Sequence, residues 1–149
     1  MLNRQLSNMV LTEAGLQKVD AILNQLLIET EATYILLVEK SGQAIRSVGE
    51  NNPHVMALSA LIAGAFASTR EIARLLGEDE FSVMFQQGKS TKIFITILAN
   101  QDLLAVVTDK DTMTGLIKIK TEQVAQRLTQ ELQSMMQEDF SLSKQQPTA

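Results

Sequence analysis

The sequence predicts an α+β fold: one five-stranded antiparallel sheet with helices on both faces, in the order α-β-β-α-β-β-β-α. Three observations lead there. Residues 80–108 hold three β-rich runs separated only by short turns, the pattern of an antiparallel meander. Residues 32–48 hold a hairpin of similar character. Segments with apolar residues at helical spacing begin near residues 12, 54 and 112. Hairpin and meander, joined across the middle helix, give one sheet, and the helices cover it.

Residues 1–11 read as a flexible arm. Thr12 is a good N-cap, flanked by Leu11 and Leu16 at the positions of a hydrophobic staple. The first helix runs to about Glu31, with Leu16, Val19, Leu23, Leu26 and Leu27 on its inner face. Ala32–Glu39 is apolar and β-rich, as a buried strand is. Lys40-Ser41-Gly42-Gln43 is a hairpin turn in which Gly42 supplies positive φ. Ala44–Val48 returns, and Asn52-Pro53 turns the chain into the second helix, His54–Leu76, closed by Gly77. Glu80–Gln86 alternates, with Phe81, Val83 and Phe85 on one side. Thr91–Leu98 alternates again, and Leu103–Thr108 is apolar on both faces. Asp111 or Thr112 caps a last helix to about Gln137. The domain is therefore 12–137, followed by a polar tail, 138–149, expected to be disordered.

Composition excludes several classes. The 149 residues suit one domain, and 45% apolar with 20% charged residues is that of an ordinary globule. A net charge of −4 without a basic block argues against nucleic acid. Without cysteine there is no disulfide scaffold and no thiolate metal site. The first eleven residues lack the apolar run of a signal peptide. The longest apolar-rich stretch, Val55–Ser68, is too short to span a bilayer. A cytoplasmic protein without membrane insertion is expected.

The second helix carries two patterns. Leu58, Leu61, Ile62, Phe66, Ile72, Leu75 and Leu76 form a stripe expected to face the core. Small residues, Ala57, Ala60, Gly64, Ala67 and Ser68, form a second one. Small side chains let another backbone approach closely. They also let a helix tuck against its own sheet, and alanine is simply a good helix former. Gly64 in mid-helix costs about 1 kcal/mol relative to alanine, so something should compensate. Docking of another chain is the favoured explanation.

The chemistry of an enzyme is missing. His54 is the single histidine and sits beside Pro53 as a surface residue, with no second ligand for a metal pair. Glu78-Asp79-Glu80 lacks the spacing of a calcium loop and reads as a solvated turn. The glycines are scattered, so no phosphate-binding loop exists. No cofactor is expected, and the chain is not expected to hydrolyse nucleotides itself. Arg70 and Arg74 are the notable cations. Arg70 is a candidate arginine finger; the bland alternative is ion pairing on an exposed face, for Arg74 with Glu71 or Glu78.

Three stretches, Leu36–Gly49, Leu58–Phe81 and Thr108–Lys120, resemble the roadblock (dynein light-chain type) domain family, whose fold is profilin-like. The likeness is greatest to its bacterial mutual gliding-motility protein B group and spans roughly residues 12–136. The resemblance implies a homodimer, with sheets joined at the edge strand through Phe81, Ser82, Val83, Met84 and Phe85. It implies that the paired second helices receive a small Ras-like GTPase of cell polarity and motility, at Ala57, Ala60, Gly64, Ala67, Ser68 and Glu71. It also implies stimulated GTP hydrolysis by reshaping of the partner's own catalytic residues, which counts against Arg70 as a finger. Departures from the group are Thr114, where leucine is frequent, and Gln86-Gln87-Gly88 in place of an acidic or histidine-containing turn. Two alternatives stay open: a scaffold that binds a GTPase without activating it, and a small-ligand sensor. A sensor needs a roomy pocket with convergent polar groups, whereas these strands offer mainly Ile, Leu, Val and Phe.

Overall fold

A computed structural model describes the backbone of residues 4–6 and 9–145 and the side chains of residues 11–135. The elements are β1 (Arg4–Leu6), β2 (Met9–Leu11), α1 (Glu13–Thr30), β3 (Tyr34–Val38), β4 (Ala44–Gly49), α2 (Val55–Leu76), β5 (Val83–Gln87), β6 (Thr91–Ile97), β7 (Leu103–Asp109) and α3 (Thr114–Gln145). From α1 onward the order is the predicted one. β3 to β7 form one antiparallel sheet in the order β4-β3-β7-β6-β5, leaving β4 and β5 at the edges.

Both ends of the domain depart from expectation. β1 and β2 pair as an antiparallel ribbon where a loose arm was expected over 1–11, of which residues 1–3, 7 and 8 lie outside the described residues. Leu11 explains the difference: it is buried in the same core as α1 and α3, so the segment entering α1 is anchored. Helix α3 starts at Thr114, so Met113 precedes it in place of the expected cap Asp111 or Thr112: the Met113 carbonyl accepts from Leu116 and Ile117. It then passes the predicted end at Gln137 and reaches Gln145. Residues 138–145 contain no glycine or proline to stop a helix, and Pro147 is the first breaker. Of the tail expected to be disordered, only 146–149 lie outside the described backbone.

The sheet separates two apolar layers by strand alternation. Ile35, Leu37, Phe94, Leu104 and Val106 point to one face, where α1 and α3 cover them with Val19, Leu23, Leu26, Ile117, Val124, Leu128 and Leu132. Leu36, Val38, Ile95, Leu103 and Ala105 point to the other, against Ile62 and Phe66 of α2. Thr12 caps α1 as predicted, its hydroxyl accepting from Gly15 N at 3.0 Å. Gly42 has φ +98, and a Cβ there would lie 3.3 Å from Ala60 Cα, so the β3–β4 turn needs glycine for both conformation and closeness to α2.

Candidate docking surface on the second helix

The register of α2 is set by a narrow buried line. Ser59, Ile62, Phe66 and Ala73 are buried, with Val55, Leu58 and Ala63 half-buried beside them. The broader stripe expected to face the core is corrected here. Ile62 and Phe66 are inside and Leu58 is half-buried, but Leu61, Ile72, Leu75 and Leu76 are 69%, 50%, 72% and 69% exposed. A straight helix laid on a sheet buries one line of side chains, and these apolar residues span a wider arc than one line covers. Their exposure is what the sequence reading missed. The signal was present, since large and small apolar residues together occupy nearly the whole circumference.

The outer face of α2 therefore holds two adjacent lines. Ala57, Ala60, Gly64, Ala67 and Glu71 follow one at helical spacing, and Leu61, Ala65, Ser68, Ile72 and Leu76 follow the next. All are exposed. Their smallness has different reasons. Ala60, with Ala63 beside it, backs onto Gly42, so closeness to the chain's own turn accounts for it. Nothing lies within 4 Å of a Cβ built at Gly64, so packing inside the chain does not require glycine there. The cost of a mid-helix glycine, about 1 kcal/mol, has no return within the protomer. Ser68 returns its hydroxyl to the Gly64 carbonyl at 3.2 Å and leaves the surface smooth.

By length and composition α2 is long and apolar enough to cross a membrane, since its apolar run extends to Leu76, past the shorter stretch Val55–Ser68 on which the contrary expectation rests. Its apolarity has two sources: one line buried on the sheet, and one exposed surface.

The two arginines are tied down. Arg70 donates through Nη2 to Gln101 Oε1 at 3.2 Å and lies 3.7 Å from Glu80, which anchors the helix to the β6–β7 turn. Arg74 pairs with Glu71 one turn earlier. Glu71, expected to face a partner, is thus engaged on the helix surface. His54 is exposed, its backbone N–H donating to Asn52 Oδ1. Among the described residues, no three His, Asp or Glu side chains cluster as a metal site.

The expected edge residues sit as follows. Among the described residues β5 pairs with β6 alone, which leaves its outer backbone edge open. The strand starts at Val83, not Glu80, and Phe81 and Ser82 precede it. Val83 packs toward the α1/α3 layer and Met84 toward the α2 layer. Phe81 is half-buried, while Ser82 and Phe85 are exposed. A surface groove of about 460 Å³ lies between the end of β6 and α3, lined by Leu98, Ala125, Gln126 and Thr129 among others.

The sequence profile of the Roadblock/LC7 domain matches residues 18–108. The chain belongs to that family. This roadblock domain is similar to Myxococcus xanthus MglB, at 31% identity over 78% of this chain and 96% of that one, with a TM-score of 0.75. It is also similar to the gliding protein MglB of Thermus thermophilus, at 26% identity over 88% of this chain and 99% of that one, with a TM-score of 0.80. A third structure, an MglB with tetrameric arrangement, is 26% identical over 89% and 99% of the two chains, with a TM-score of 0.82. A search of curated protein sequences returns no match. The profile ends before α3, so that helix lies outside the family match.

Proposed function

We propose that this roadblock domain is a cytoplasmic homodimeric regulator of a small Ras-like GTPase in polarity or motility. It binds the GTPase through α2 and stimulates its GTP hydrolysis. One observation carries the reading: α2 exposes Leu61, Ile72 and Leu75 beside a glycine that its own protomer does not need. A contiguous exposed apolar face marks a protein contact. The open β5 edge adds a second unsatisfied surface. Pairing of two protomers along β5, with the line from Leu61 to Leu76 against the partner copy, covers both. The small-residue line then forms the crest that receives the GTPase. Kinship with MglB proteins, one of them tetrameric, supports assembly and motility.

In this reading the chain contributes shape, not reacting groups. Arg70 is held by Gln101 and Glu80, which favours reshaping of the partner over an inserted arginine. The test is co-purification from the native host, followed by a hydrolysis assay on the GTPase recovered. Ala67→Arg, exposed on the crest line, should keep the fold and weaken GTPase binding tenfold or more, about 1.4 kcal/mol. Arg70→Ala should leave most of the saturated hydrolysis rate. Full binding by folded Ala67→Arg overturns the crest, and a rate loss of about a thousandfold in Arg70→Ala restores the arginine finger. Binding of wild type without faster hydrolysis favours the scaffold.

A further inference from the structure

The two helices that share one face of the sheet start in different ways. Helix α1 is capped by Thr12 and carries Glu13 in its first turn. Helix α3 has neither: Met113 precedes it, with no side-chain oxygen, and its first turn holds no acidic residue. The positive end of its dipole therefore meets no negative charge from its own element. What lies against it is a cation. Lys92 of β6 is 9% exposed and donates from Nζ to the Thr112 carbonyl at 2.8 Å, just before the helix. An ammonium has three N–H donors, and this bond uses one. Among the described residues Lys92 forms no ion pair. Its cross-strand neighbour is Thr108 of β7. The next pair on the same face, Phe94 and Val106, points into the α1/α3 layer, so Lys92 and Thr108 point there too. Thr108 is 1% exposed, and its Oγ1 has no hydrogen-bond partner. Burying a hydroxyl in that state is costly.

We propose that the start of α3, Lys92 and Thr108 form a binding site for a phosphate group. Phosphate supplies what each part lacks: acceptors for the remaining ammonium N–H groups, an acceptor for the Thr108 hydroxyl, and negative charge at the positive helix end. A water molecule would satisfy the hydroxyl without balancing a buried cation beside that helix end. Lys89 and Lys110 stand exposed on the adjoining turns, which are joined where Lys110 N donates to the Ser90 carbonyl at 3.1 Å. The carboxylates of this end are Asp109 and Asp111, both exposed; that of Asp109 accepts from Asp111 N at 3.1 Å and so turns to its own loop. The site lies on the α1/α3 side of the sheet, away from α2. It goes beyond the GTPase reading and does not depend on it.

The experiment is an NMR titration of the full chain with sodium phosphate at constant ionic strength, with sodium chloride as the control. The amides of Thr108, Thr114 and Gly115 should shift together and saturate, and phosphate but not chloride should raise Tm. Thr108→Val keeps the shape and removes a hydroxyl that has no partner, so it should stay folded. It should weaken phosphate binding by about tenfold, the effect of losing one hydrogen bond to a charged group. Lys92→Met keeps the stem, loses the charge and should abolish saturation. If circular dichroism shows that Lys92→Met is not folded, Thr108→Val decides alone. Lys89→Gln, at the exposed rim, should change affinity by less than about twofold. A parallel titration with glycerol 3-phosphate separates the sources: tighter binding than inorganic phosphate assigns the site to a phosphate ester, weaker binding to the free ion. Shifts that do not saturate, equal shifts with chloride, or full affinity in folded Thr108→Val overturn the proposal. So does an affinity that depends on Lys89 as strongly as on Thr108.

Discussion

The two faces of the sheet are finished to different degrees. On the α1/α3 side, Val19, Leu23, Leu26, Ile117, Val124, Leu128 and Leu132 are all within a few per cent of full burial. Lys92 even closes the approach to α3 by donating to the Thr112 carbonyl at 2.8 Å. On the α2 side only Ser59, Ile62, Phe66 and Ala73 of the helix are buried, while Met56, Leu61, Leu75 and Leu76 stand in solvent. The same sheet thus carries one complete core layer and one that a single chain leaves open. The complete layer accounts for the fold. The open layer is where partners are expected, because a protomer optimised alone would have placed polar residues there.

Mutations separate the layers by size of effect. Leu128→Ala, in the complete layer, should lower unfolding free energy by about 2–5 kcal/mol. Denaturation at two protein concentrations should show the same loss; a loss that shrinks with concentration would blur the distinction. Asp102→Asn removes a buried charge whose carboxyl is raised from 3.8 to about 6. That is roughly two units at about 1.4 kcal/mol each, so the variant should gain up to about 3 kcal/mol at pH 8 relative to wild type. The gain should fade below about pH 4; a gain independent of pH would remove the charge from the explanation. Gly64→Ala should stabilise the isolated protomer by up to about 1 kcal/mol, since its new Cβ meets nothing. If the crest is a contact, the same change weakens partner binding. Leu61→Glu should change protomer stability least, by under about 0.5 kcal/mol, yet impair self-association.

Much of this was legible in the sequence, for a physical reason. The element order from α1 to α3 follows from apolar period and turn residues: Thr12 caps α1, Gly42 takes positive φ, and Gly77 closes α2. The position of β5 at an edge was also reached, through resemblance. Four apolar residues of α2 were misplaced because helical period cannot distinguish a stripe that meets a sheet from one that meets another chain. The β1–β2 ribbon was missed because three-residue strands carry almost no periodic signal. The burial of Glu39 and Asp102 left no sequence trace, because the two residues are brought near each other by the sheet register that sets Val38 of β3 opposite Leu103 of β7.

Self-association is the most direct test of the open layer. Sedimentation velocity of the intact chain at micromolar concentration should give a dimer, and Leu61→Glu should shift it toward monomer while circular dichroism is unchanged. A wild-type chain that stays monomeric at that concentration contradicts the account, because the exposed face of α2 and the β5 edge would then have no partner in a second copy.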